Sequence, residues 1–181
     1  MKIYSINFII ILLFHLLFSN ADNLNHNNVI KPITDTDALN LASLSNRYYE
    51  VVNGGFGYSD GKGCDNSSIV LNGEHFVYYC GLDSVGQVYE YLTEVFTPTF
   101  TFDFMTNVKI QEYNGKVITL DLGAGDVLDW SKAKIISKHA LNEEEIMYKF
   151  GVPDPDDRYW NVVADFKFVS TMGWRLSNKL Q

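Results

Sequence analysis

From position 36 onward apolar residues recur at three- and four-residue spacing. Ala38, Leu41, Leu44, Ser45, Tyr48 and Val52 fall on one side of a helical projection, the signature of an amphipathic helix. Asp35 or Thr36 stands where a cap is needed, and Asn53-Gly54-Gly55 stands where an exit needs left-handed backbone, so the pattern predicts a helix over 36–52. The following run, Gly54-Gly55-Phe56-Gly57, is a helix exit with an exposed loop. It follows no strand and lacks the Lys-Ser/Thr of a phosphate cradle.

Two short apolar runs come next, 68–71 and 75–79, separated by Asn72-Gly73. Asn-Gly between apolar runs predicts a hairpin, because both central turn residues must take positive φ. Ser84-Val85-Gly86-Gln87 reads as a capping box, and Val85, Val88, Tyr89, Leu92, Val95 and Phe96 form the apolar side of a second helix. Thr97-Pro98 closes that helix or opens a short continuation. Phe100, Phe102 and Phe104 alternate like a strand yet also fit a helical turn, so 99–106 stays open between the two.

The remainder reads as strand. Segments 108–113 and 116–120 flank a second Asn-Gly pair, Asn114-Gly115, and four further strands fall at 133–138, 146–152, 161–169 and 173–176. Asn142-Glu143-Glu144-Glu145 and Pro153-Asp154-Pro155-Asp156-Asp157 are turns by composition. Helices early and strands in a run predict an α+β domain: two N-terminal helices and a hairpin packed on a curved antiparallel sheet, cystatin-like or NTF2-like in outline.

The first residues follow another logic. Lys2 precedes an apolar stretch from Phe8 to Phe18, and Ser19-Asn20-Ala21 puts small residues at −3 and −1 of a cleavage point. These are the three parts of a secretory signal. An uncleaved anchor is the alternative, but the stretch falls short of the roughly 20 apolar residues that a span needs. The expected organisation is a signal peptide at 1–21, a flexible Asn-rich tail at 22–34 and one domain over 35–181. Export places the product outside the cell, soluble and free of the membrane once the signal is removed.

Export also bears on Cys64 and Cys80, the two cysteines of the chain. An even count in an oxidising compartment favours one structural disulfide, contributing about 3 kcal/mol by the loop-entropy estimate. A free reactive thiol is the alternative. Asn66-Ser67-Ser68 is a glycosylation acceptor where the cell has that machinery.

Charge and chemistry narrow the function classes. The 181 residues carry 14 basic and 22 acidic side chains, a net charge of −8. Such a chain offers no basic stripe for phosphates, so no nucleic-acid partner is expected. The stretch from Asp121 to Trp130 carries Asp121, Asp126 and Asp129 with Gly123 and Gly125. It reads as an acidic loop suited to a partner's basic cleft, or as a plain solvated loop, with Trp130 more in the character of core than contact. Its Asp spacing does not match the calcium-loop pattern. His75 and His139 sit in strand patterns, and no nucleophile elbow is present. No catalytic residue, metal or cofactor is expected, and the chain is expected to be a monomer.

A family resemblance runs over 36–176. It is carried by Tyr48-Tyr49 before Asn53-Gly54-Gly55; by Cys64 and Cys80 around Asn72-Gly73 and Tyr78-Tyr79; and by the run from Tyr91 to Thr97. Asn114-Gly115-Lys116, the run from Leu128 to Lys134, Phe150-Gly151-Val152-Pro153 and Gly173-Trp174-Arg175 continue it in order. In these the chain resembles the secreted bacterial inhibitors of peptidoglycan DL-endopeptidases, the IseA-type family. The resemblance implies a helix-plus-curved-sheet, cystatin-like fold without enzymatic activity. It implies a partner among cell-wall hydrolases of the papain-like Cys-His class, whose active-site cleft is blocked sterically. Residues Asp121, Gly123, Gly125, Asp126 and Asp129 are then the expected contact, with Glu143–Glu145 and Asp154–Asp157 adding to the field. The rival of another class is an NTF2-like small-ligand binder or enzyme, with His139 or His75 facing a carboxylate in an aromatic-lined pocket. A calcium- or glycan-binding surface protein is a third class.

Overall fold

The computed structural model describes residues 30–54, 68–79, 81–122 and 128–180. Its elements in order are α1 (Asp35–Gly54), β1 (Ser68–Leu71), β2 (Glu74–Tyr78), α2 (Val85–Thr93), α3 (Pro98–Asn107), β3 (Gln111–Tyr113) and β4 (Lys116–Leu120). A short 3₁₀ turn (Trp130–Lys132) then leads into β5 (Lys134–Ala140), β6 (Glu145–Pro153), β7 (Tyr159–Val169) and β8 (Gly173–Leu176). The class is α+β.

The strands form two four-stranded antiparallel sheets, in orders β1-β2-β4-β3 and β5-β6-β7-β8. The single curved sheet expected from the sequence is therefore divided. The two Asn-Gly hairpins find each other, with Tyr78 opposite Ile118 and Phe76 opposite Leu120, and leave the four later strands to pair as a meander. Both turns take the expected left-handed backbone, at φ 52° and 84° for Asn72 and Gly73 and 51° and 73° for Asn114 and Gly115.

Helix α1 starts from a cap that the pattern did not pick. The Thr34 hydroxyl, not Asp35 or Thr36, accepts from the Asp37 N–H at 3.1 Å and donates to the Asp37 carboxylate at 2.7 Å. The buried side is Ala38, Ala42, Ser45 and Val52, while Leu44 turns out to solvent. The end of the expected tail is packed as well: Ile33 joins the core, and the Trp174 indole donates to the Lys31 carbonyl at 2.8 Å. Lys31 and Ile33, just ahead of α1, thus pack against the domain.

Ser84 caps α2 by accepting from the Gln87 N–H at 3.2 Å, and the Gln87 amide reaches back to the Asp83 N–H at 2.6 Å. The open segment 99–106 is helical: Thr97 caps α3 and Pro98 occupies its first turn, where a missing N–H costs nothing. Phe104 is then buried and Phe100 partly buried, while Phe102 faces out. Between α2 and α3 the chain extends and bridges Phe96 to Leu176 of β8.

The core lies between the helices and the inner side of the second sheet. Tyr148, Phe150 and Phe166 are fully buried there with Val88, Leu92 and Val152. Burying each such apolar side chain contributes roughly 1.5–3 kcal/mol before conformational entropy is counted. No described helix is long and apolar enough to cross a membrane.

Candidate functional site

The features suited to a contact gather at the end of the second sheet where β6 turns into β7. Pro153 ends β6 and Tyr159 starts β7, directly opposite each other. Asp154 organises the turn between them. Its Oδ1 accepts the N–H groups of Asp156 and Arg158, each at 2.9 Å, and its Oδ2 accepts the Trp160 indole N–H at 3.1 Å. The indole first, then the backbone N–H groups, hold the Asp154 carboxyl below the usual carboxylate range. Arg158 closes the turn on the Asp156 carboxylate.

Two large aromatics flank this turn and face water: Tyr159 is 52% exposed and Trp160 58% exposed. As successive strand residues they leave the sheet on opposite sides. Gly151, on β6, makes room for the first of them. A Cβ there would meet Ile136 at 3.3 Å and Tyr159 at 3.4 Å, so the missing side chain lets those two close over the backbone. Lys134 Nζ sits 5.2 Å from the centre of the Tyr159 ring.

The acidic segment 121–129 is fastened at both ends, to different sheets. The Asp121 N–H donates to the His75 carbonyl of β2 at 2.9 Å, and the Asp129 N–H donates to the Pro153 carbonyl of β6 at 2.8 Å. Asp129 also caps the 3₁₀ turn, accepting from the Ser131 N–H at 3.1 Å and from its hydroxyl at 2.5 Å. These bonds, the Ser131 hydroxyl foremost, with Lys132 beside it, hold the Asp129 carboxyl low. Lys132 Nζ then joins the two features, 3.3 Å from Asp129 and 3.3 Å from Asp157, and both carboxylates raise its own pKa.

Of the five expected contact residues, Asp121 and Asp129 are thus the two ends of one bridging segment. Gly123, Gly125 and Asp126 lie outside the described residues, as do Cys64, Cys80 and Asn66. Trp130 is half-buried, packed edge-on to Phe150 with ring centres 5.7 Å apart. The two acidic turns expected to add to the field lie at opposite ends of β6. Glu145 opens β6 and Asp154 lies just past its finish, about 30 Å away at the rise of an extended strand; Glu145 is engaged by Lys167 at 2.9 Å.

His75 and His139 are both exposed strand positions. Among the described residues no group of three His, Cys, Asp or Glu side chains is placed to hold a metal ion. What sequence reading missed is Tyr159-Trp160. Its signal was two consecutive large aromatics at a strand start, where one of the pair must leave the core side.

A family model described as IseA DL-endopeptidase inhibitor matches residues 29–179. No curated protein matches the chain.

Proposed function

The chain belongs to the IseA DL-endopeptidase inhibitor family, and on that premise we propose that it is exported and blocks the Cys-His cleft of a peptidoglycan DL-endopeptidase sterically. In this reading the signal is removed after Ala21, Cys64 is bridged to Cys80, and the product acts outside the cell as a monomer. The observation that carries the reading is a family match over nearly the whole described chain, together with the bridging of segment 121–129 between two sheets. A segment tied at both ends costs less to order on docking than a free loop.

Within that segment the roles divide. Asp129 holds the end of the loop in place through Ser131, Lys132 and Pro153. Asp121, Gly123, Gly125 and Asp126 form the contact proper. Their carboxylates meet a basic rim, which raises the association rate more than it lengthens the life of the complex.

The test is hydrolysis of purified peptidoglycan by a DL-endopeptidase in the presence of residues 22–181. Wild type should suppress hydrolysis. Asp121→Asn with Asp126→Asn should weaken suppression about tenfold at low salt, a gap that closes at high salt as the charges are screened. Equal suppression by both forms at every salt concentration removes the electrostatic role of the segment. Undiminished hydrolysis with wild type removes the inhibitor reading.

A further inference from the structure

We propose that the β6–β7 turn, with Tyr159 and Trp160 as its apolar anchors, is a second and separately acting contact that grips the endopeptidase beside its cleft. The inference rests on the inhibitor reading above and adds a surface to it.

Three observations carry it. The first is exposure of the wrong kind of residue. Tyr159 and Trp160 keep more than half their surface in water, and Tyr and Trp are the side chains on which protein contacts concentrate their energy. The second is rigidity. Asp154 pins the Trp160 indole and two turn N–H groups with one carboxylate. Tyr159 is held against Ile136 over Gly151, with Lys134 above its ring. Anchors already in place lose little freedom on docking. The third is continuity. Asp129 is bonded to Pro153, and Lys132 spans Asp129 and Asp157, so a partner seated on the acidic segment also meets the turn.

The chemistry of the partner follows from what the turn leaves open. Its cations are engaged: Arg158 by Asp156, Lys132 by Asp129 and Asp157. Asp156 and Asp157 nonetheless keep 68% and 76% of their side-chain surface exposed. The free groups are therefore aromatic rings edged by carboxylate oxygens. They fit a protein partner that closes over the turn from both sides, with apolar surface against each ring and a basic rim between. Because its anchors are exposed aromatic rings, this contact acts through burial and slows dissociation, whereas the acidic segment speeds association.

The experiment follows association and dissociation of residues 22–181 with a DL-endopeptidase that the wild type inhibits. Trp160→Ala and Tyr159→Ala should each speed dissociation at least about tenfold, with the association rate and its salt dependence unchanged. Phe102→Ala, at an exposed phenylalanine on α3, should behave as wild type. In wild type, hydrogen exchange at residues 153–160 should slow on complex formation, a readout that needs no variant to fold. Dissociation within about twofold of wild type for both turn variants, or unchanged exchange at 153–160, overturns the inference while the inhibitor reading stands. A wild type that inhibits no DL-endopeptidase overturns both.

Discussion

Tyr148 is fully buried, and its hydroxyl donates to the half-exposed Asp35 at 3.1 Å while Lys138 holds the same carboxylate oxygen at 2.7 Å. Burial first, then the Asp35 charge, pushes the Tyr148 phenol up to about 12. The Lys138 ammonium, then the phenol, holds Asp35 below its ordinary range. The two shifts act at opposite edges of the pH range. Asp35 contributes stability above its unfolded pKa, and the contribution is lost as pH falls through the depressed folded value. Tyr148 contributes below its unfolded value near 10, and that contribution is lost as pH rises toward about 12. Urea unfolding across pH should show Tyr148→Phe less stable by about 1 kcal/mol at neutral pH, with a shallower alkaline fall. Asp35→Asn should flatten the acid fall instead. An unchanged alkaline slope in Tyr148→Phe contradicts the assignment. None of this was legible in the sequence. Asp35 looked like a cap, and only the fold brings Lys138 and Tyr148 beside it, more than a hundred positions away.

Elements defined by local chemistry were legible, because their signals lie within a few residues. The Asn-Gly turns, the Ser84 box and the later strands fall where spacing placed them. Gly115 shows the physics in isolation: φ is +73° and no atom lies within 4 Å of a would-be Cβ. Gly115→Ala should therefore cost about 1 kcal/mol, the left-handed penalty alone, and a neutral result would show the turn relaxing to another type. Thr97→Ala removes the α3 cap and should cost about 1 kcal/mol by the same denaturant measurement. That cap decides what the Phe100, Phe102, Phe104 alternation left open. With Thr97 and Pro98 starting a helix, Phe100 and Phe104 share a side and Phe102 does not. The division into two sheets was not legible, because strand partners are chosen in space. Nothing in 68–79 marks it as the neighbour of 116–120 across two intervening helices. The acidic segment was visible as composition. Its bridging of the two sheets, and the aromatic turn beside it, depend on where the chain returns.

At the scale of the molecule, net charge and architecture point the same way. A chain of net charge −8 attracts a basic-rimmed partner from a distance. The first sheet holds Asp121 and the second holds Asp129, with the β6–β7 turn next to Asp129; in the proposed mechanism both places meet the partner. Family membership sets the partner as an endopeptidase, and the proposed mechanism is occlusion with no bond broken by the inhibitor itself. The most direct test is the rate at which a small alkylating reagent labels the catalytic cysteine of the target, measured with increasing amounts of residues 22–181. Occlusion predicts that labelling slows in step with the loss of hydrolysis, reaching its floor when every enzyme molecule is bound. Labelling at the free-enzyme rate while hydrolysis is suppressed would contradict it.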